Sequence, residues 1–199
     1  LKRIRRAIKL DKFEKTFDLL QKYQIYTKID LIIGLPGEDL ASIENTLNYM
    51  LNKLHGSHTH MLCCHTMRGL PGTELLQISQ DYNMVFTSEF EPHELFESQT
   101  LSREEMVTCL RRTGVIFRLV NHTGWARKEF IFGRESQSTS IHDTFYEARE
   151  RLGMTNIELI DVIIEGLMKN LKNNSYFVQE RFPYAETWWW NLSKREIKD

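Results

Sequence analysis

The chain is poor in cysteine, with three in 199 residues (Cys63, Cys64 and Cys109), two of them adjacent. Three cysteines cannot build a disulfide framework, so a disulfide-stapled secreted fold is disfavoured and a reducing cytoplasm is the expected compartment. Proline is scarce, at four residues, and no stretch reads as low complexity. Net charge is almost absent. Lys and Arg total 26 against 27 acids, giving -1. No global field therefore selects nucleic acid or an anionic membrane surface as partner. Apolar runs such as 162–164 are far too short to span a bilayer, and no segment reads as a signal peptide.

What is present suits a globular protein: 41% hydrophobic and 27% charged residues. The length fits one sizeable domain or a domain with an appendage. The chain opens on Leu1, and "LKRIRRAIKLDKF" reads as a basic, helix-prone segment with no preceding cap. We therefore expect a fragment of a longer polypeptide. Phe13, Phe17 and Leu20 form a helical stripe, predicting a helix over 11–23 capped by Asp11. "YTKIDLIIG" follows as a strand whose apolar end suits a parallel sheet. Asp39 then caps a helix carrying Ile43, Leu47, Met50 and Leu54. Residues 58–65 read as a second strand, and Thr73 caps a short helix through about 79. Strand, helix, strand at these lengths predicts a βαβ unit with parallel strands.

The second half changes character. "DYNMVFTSEF" is expected to hold one short strand. Ser102 to Glu105 is a capping box, and Met106, Leu110, Thr113, Phe117 and Val120 continue it as a long helix. Ile141, Phe145, Ala148 and Leu152 predict another helix. Ile157, Ile160, Ile164, Leu167 and Leu171 predict a last one, capped by Asn156. The boundary between an α/β part and a helical part is expected near 90–100. Two or three strands cannot complete a parallel sheet without leaving both edges unpaired. The missing strands belong upstream in the same polypeptide or to another chain.

Gly-Leu-Pro-Gly occurs twice, at 34–37 and 69–72, each at the end of a predicted strand. Ligands of α/β folds sit at such carboxyl ends. Gly34 removes a side chain where a ligand could approach, although Gly-x-Pro-Gly is also an ordinary strand-to-helix turn. Neither turn is a phosphate loop or a dinucleotide fingerprint. "HGSHTHMLCCH" holds His55, His58, His60, Cys63, Cys64 and His65. His58, His60 and Cys64 would share a strand face, which allows a small metal-binding module at 55–65. The paired ligands of a structural zinc site are missing, so buried cysteines with nearby histidines explain the pattern as well. His122, Trp125 and Arg127 offer stacking and charge in a loop. Trp188, Trp189 and Trp190 offer an interface or a pinned tail.

Residues 1–50, from "LKRIRRAIKL" through "DLIIGLPGEDLASIENTLNYM", followed by "LPGTELLQISQDYNM", resemble the C-terminal part of a radical S-adenosylmethionine (radical SAM) catalytic domain. The similarity is to the branch whose members often carry an upstream cobalamin-binding domain, and it fades beyond about residue 105. The resemblance implies an α/β fold: the later strands of a partial (β/α) TIM-like barrel over 1–95, then a mostly helical region over 96–199. It implies an iron–sulfur oxidoreductase or methyltransferase that cleaves S-adenosylmethionine at a [4Fe–4S] cluster, with cobalamin a possible further cofactor. Arg6 matches the position that commonly reaches the S-adenosylmethionine carboxylate. Ile32, Gly34 and Met67 match adenine-contacting positions. Glu38 stands one place beyond the family's acid. The cluster motif Cys-x3-Cys-x2-Cys is absent, so those ligands would lie in the N-terminal remainder of the polypeptide. The resemblance identifies neither substrate nor reaction. The non-enzymatic alternative is a scaffold or subunit that binds a partner through its sheet edge and Trp-rich tail.

Overall fold

The structure is a computed structural model and describes residues 9–55, 60–86, 93–121 and 141–173. Arg6, His58, His122, Trp125, Arg127 and the three consecutive tryptophans lie outside the described residues. The chain divides into two compact units, Leu1–Thr113 and Gly114–Asp199. The division falls inside a helix, later than the expected boundary near 90–100.

In the first unit, helix α1 (Leu10–Lys22) leads into strand β1 (Thr27–Ile33). Its N-cap is Lys9, with no side-chain cap bond, and Asp11 lies in the first turn. The acid favours the helix N-terminus through the dipole instead of capping it. Helix α2 (Leu40–Leu54) connects β1 to strand β2 (His60–Thr66). The two strands pair in parallel, from Thr27 opposite His60 to Ile33 opposite Thr66. Asp39 Oδ1 accepts from Ser42 N at 2.8 Å and Ser42 Oγ accepts from Asp39 N at 3.1 Å. This reciprocal cap satisfies two orphan donors at the start of α2. Ile43, Leu47, Met50, Leu51 and Leu54 of α2 are buried with Phe17 of α1 and Leu62 of β2. Tyr49 and Lys53 of α2 bond to Glu14 and Asp18 of α1.

After β2, Thr73 caps helix α3 (Glu74–Ile78), and a 3-10 turn follows at Ser79–Tyr82. Strand β3 (Val85–Phe86) pairs antiparallel with β4 (Leu95–Glu97). Backbone bonds also run from Gly69 N to His93 O and from Leu95 N to Met67 O, both 2.9 Å. The segment entering β4 therefore lies against the chain leaving β2. Helix α4 (Arg103–Val120) starts at the predicted box, with Ser102 N donating to Glu105 Oε2 at 2.8 Å. Buried Arg112 of α4 pairs with Glu44 of α2.

The second unit holds the end of α4, helix α5 (Ile141–Leu152) and helix α6 (Asn156–Asn173). The cap of α6 is Thr155, not Asn156: Thr155 Oγ1 accepts from Glu158 N, and Glu158 Oε2 accepts from Thr155 N at 2.7 Å. Asn156 is buried and accepts from Arg149 at 3.1 Å. Phe145, Tyr146, Ile157, Leu159 and Ile160 are buried. The molecule is thus a mixed α/β protein. Among the described residues its sheets are two-stranded and no closed barrel forms.

Candidate functional site at the carboxyl end of the parallel strands

Glycine is required where β1 stops. Gly34 has φ +85° and Gly37 has φ +76°, a region that L side chains enter only with strain. Between them the turn closes with Glu38 N donating to Leu35 O at 2.9 Å. Glu38 then folds its carboxylate back, and one oxygen accepts from Gly34 N at 2.7 Å and Leu35 N at 3.1 Å. Burial pushes this carboxyl up, and the two backbone donors pull it down. Thr100 Oγ1 donates to Glu38 O at 2.8 Å, tying the turn to the segment before α4. Glu38 thus stabilises the turn itself. The room that Gly34 leaves is taken by Leu95, and a Cβ there would overlap that side chain and meet Met106 at 3.4 Å.

Alternation along the paired strands sorts the side chains onto two faces. One face carries Ile33, His60, Leu62 and Thr66, all buried. The Phe17 ring lies 4.4 Å from that of His60. Neither ring nitrogen of His60 nor Thr66 Oγ1 finds a hydrogen-bond partner among the described residues. Burial depresses the His60 pKa. The other face carries Lys28, Asp30, Ile32 and His65, all exposed. Ile32 is 41% exposed, whereas the next residue, Ile33, is 4% exposed. Asp30 Oδ1 lies 3.1 Å from Lys28 Nζ and 3.1 Å from His65 Nε2. Lys28 first, then His65, holds the Asp30 carboxyl below its usual range, while Asp30 raises Lys28.

The structure therefore sets Ile32 on the open face beside its register partner His65. Met67 is 1% exposed, and its N donates to Ile33 O at 2.8 Å. Its side chain belongs to the core, and its backbone extends the ladder at the strand ends. Gly34 is covered by Leu95. Sequence reading missed the Asp30–His65 pair because the two are 35 residues apart.

Cys63 and Cys64 point to opposite faces. Burial pushes the thiol of Cys64 up to about 12, and that of fully buried Cys109 to about 12. Thiolate ligation is disfavoured at such sites. Among the described residues no group of three or more His, Cys, Asp or Glu side chains is arranged to hold a metal ion. No helix among them is long and apolar enough to cross a membrane. Compared with known proteins, the chain matches no family model and no curated protein.

Proposed function

We propose that the chain is part of a radical SAM enzyme, of the iron–sulfur oxidoreductase or methyltransferase type, and supplies one wall of its S-adenosylmethionine pocket. The observation that carries this reading is Ile32. It is a strand isoleucine left 41% exposed near the carboxyl end of a parallel pair, separated by Ile33 alone from a Gly-Leu-Pro-Gly turn. Ligands of parallel α/β units collect at that end. Ile32 offers apolar surface to an adenine ring. Arg6, the proposed carboxylate partner, lies outside the described residues.

The residues present do not fit the [4Fe–4S] cluster. Adjacent Cys63 and Cys64 face opposite ways, and Cys109 is fully buried on a helix. The cluster ligands would come from the rest of the polypeptide. The test uses the complete polypeptide loaded with iron and sulfide. On reduction it should release 5′-deoxyadenosine from S-adenosylmethionine. Ile32→Asp should weaken S-adenosylmethionine binding about tenfold, corresponding to the loss of roughly 1.5 kcal/mol of apolar burial. A loaded cluster with no release, or unchanged affinity in the variant, rejects the reading.

A second reading, a non-catalytic subunit, is favoured by one observation. Among the described residues no strand pairs with the outer edge of β1, beside which Ile25 and Tyr26 are 49% and 68% exposed. Such an edge accepts a further strand. Light scattering distinguishes the readings: a stable complex with neither iron nor nucleoside bound supports this second one.

A further inference from the structure

Among the described residues the outer edge of β1 has no strand partner. Ile33 O accepts from Met67 N, which lies on the β2 side. Backbone groups alternate between the two edges along a strand, so Ile29 and Leu31 also turn theirs toward β2. Lys28, Asp30 and Ile32 then turn theirs outward. The same three residues and Tyr26 carry their side chains on the open face. Tyr26 is 68% exposed and Ile32 41%. The Lys28 and Asp30 side chains are 50% and 48% exposed. On the covered face Ile29 and Leu31 are only half-buried.

We propose that this edge pairs antiparallel with the same edge of a second copy of the chain, about a two-fold axis at Ile29. The inference rests on the second reading, in which β1 keeps its edge for a partner. A two-fold makes the contact isologous, so every pair occurs twice. Centred on Ile29, it sets Lys28 opposite the partner's Asp30, and Asp30 opposite the partner's Lys28. Tyr26 meets the partner's Ile32, which gives both exposed side chains apolar cover. Each of these pairs joins residues whose backbone groups point outward, so each can exchange two N–H···O bonds. On the covered face Ile29 meets its own copy, and Leu31 meets the partner's Thr27. Charge fixes the register. An axis at Lys28 would set two ammonium groups opposite each other, and an axis at Asp30 two carboxylates; like charges so placed are destabilising. An axis between residues would set outward backbone groups against inward ones and lose the ladder. A lysine on an open edge ordinarily keeps other strands away. Asp30, two residues on and on the same face, makes the edge complementary to itself.

The test is light scattering of the full chain over a range of concentrations, with two charge exchanges at exposed positions. The wild type should form a dimer whose fraction rises with concentration. Lys28→Asp makes the facing pairs all acidic, and Asp30→Lys makes them all basic. Each should raise the dimer Kd about tenfold or more. Mixing the two variants should restore a dimer with one copy of each, identified by native mass spectrometry, because every facing pair is again opposite in charge. That recovery also shows that both variants fold. A wild type that stays monomeric, a dimer untouched by either exchange, or variants that stay apart on mixing overturns the proposal. Iron content and S-adenosylmethionine binding, measured on the same samples, report on the second reading separately. A monomer with neither loses the self-pairing alone, whereas a monomer with both loses that reading as well.

Discussion

Gly34 combines a left-handed backbone with a space already filled by Leu95. Gly34→Ala therefore meets strain and overlap together. We expect it to destabilise the chain by about 2–4 kcal/mol, read from urea unfolding. The two backbone donors that Glu38 satisfies lose their acceptor in Glu38→Ala, at an expected cost of about 1–3 kcal/mol by the same measurement. His60 supplies a pH dependence. Its folded pKa is depressed by burial below the ordinary 6.5. As pH falls through 6.5, the unfolded chain takes up a proton that the folded chain refuses, so stability is full above that pH and declines below it. His60→Leu should flatten this acid limb, measured as the difference in Tm between about pH 7.5 and about pH 5; an unchanged limb would place its origin elsewhere. In the sequence His60 also lies within the stretch 55–65 that allows a small metal-binding module, the less favoured reading there. Residue type alone does not say that Phe17 covers the ring.

Among the elements, helices with a clear apolar stripe and a polar cap were legible in advance. Asp39 and Ser102 cap as their spacing predicts, because a reciprocal cap is a contact between residues three apart. Asp39→Ala should cost about 1 kcal/mol and show as earlier amide exchange in the first turn of α2. Asn156 misled because both it and Thr155 are capping types. Arg149, which binds Asn156, lies in the preceding helix and decides the choice. Strand β4 was not legible at all. Three residues carry no measurable period, and Leu95 is ordered by the backbone of Met67 and the gap above Gly34.

At the scale of the whole molecule, burial governs the chemistry of the thiols. Cys63 and Cys109 are buried, and Cys64, with its pKa pushed up to about 12, is also held as the thiol. A thiol-trapping reagent at neutral pH should label these cysteines slowly in the native protein. All three should react at once in denaturant, and rapid native labelling of Cys64 would contradict this packing. By itself the sequence determined the βαβ order, the parallel pairing and the start of α2. Each of these follows from local periodicity, caps and the length of a crossover. Tertiary structure alone decided which strand isoleucine is covered, what fills the space over Gly34, and that Asp30 meets His65 across 35 residues of chain. Those outcomes depend on register and on neighbours distant in sequence, and no spacing within one segment encodes either.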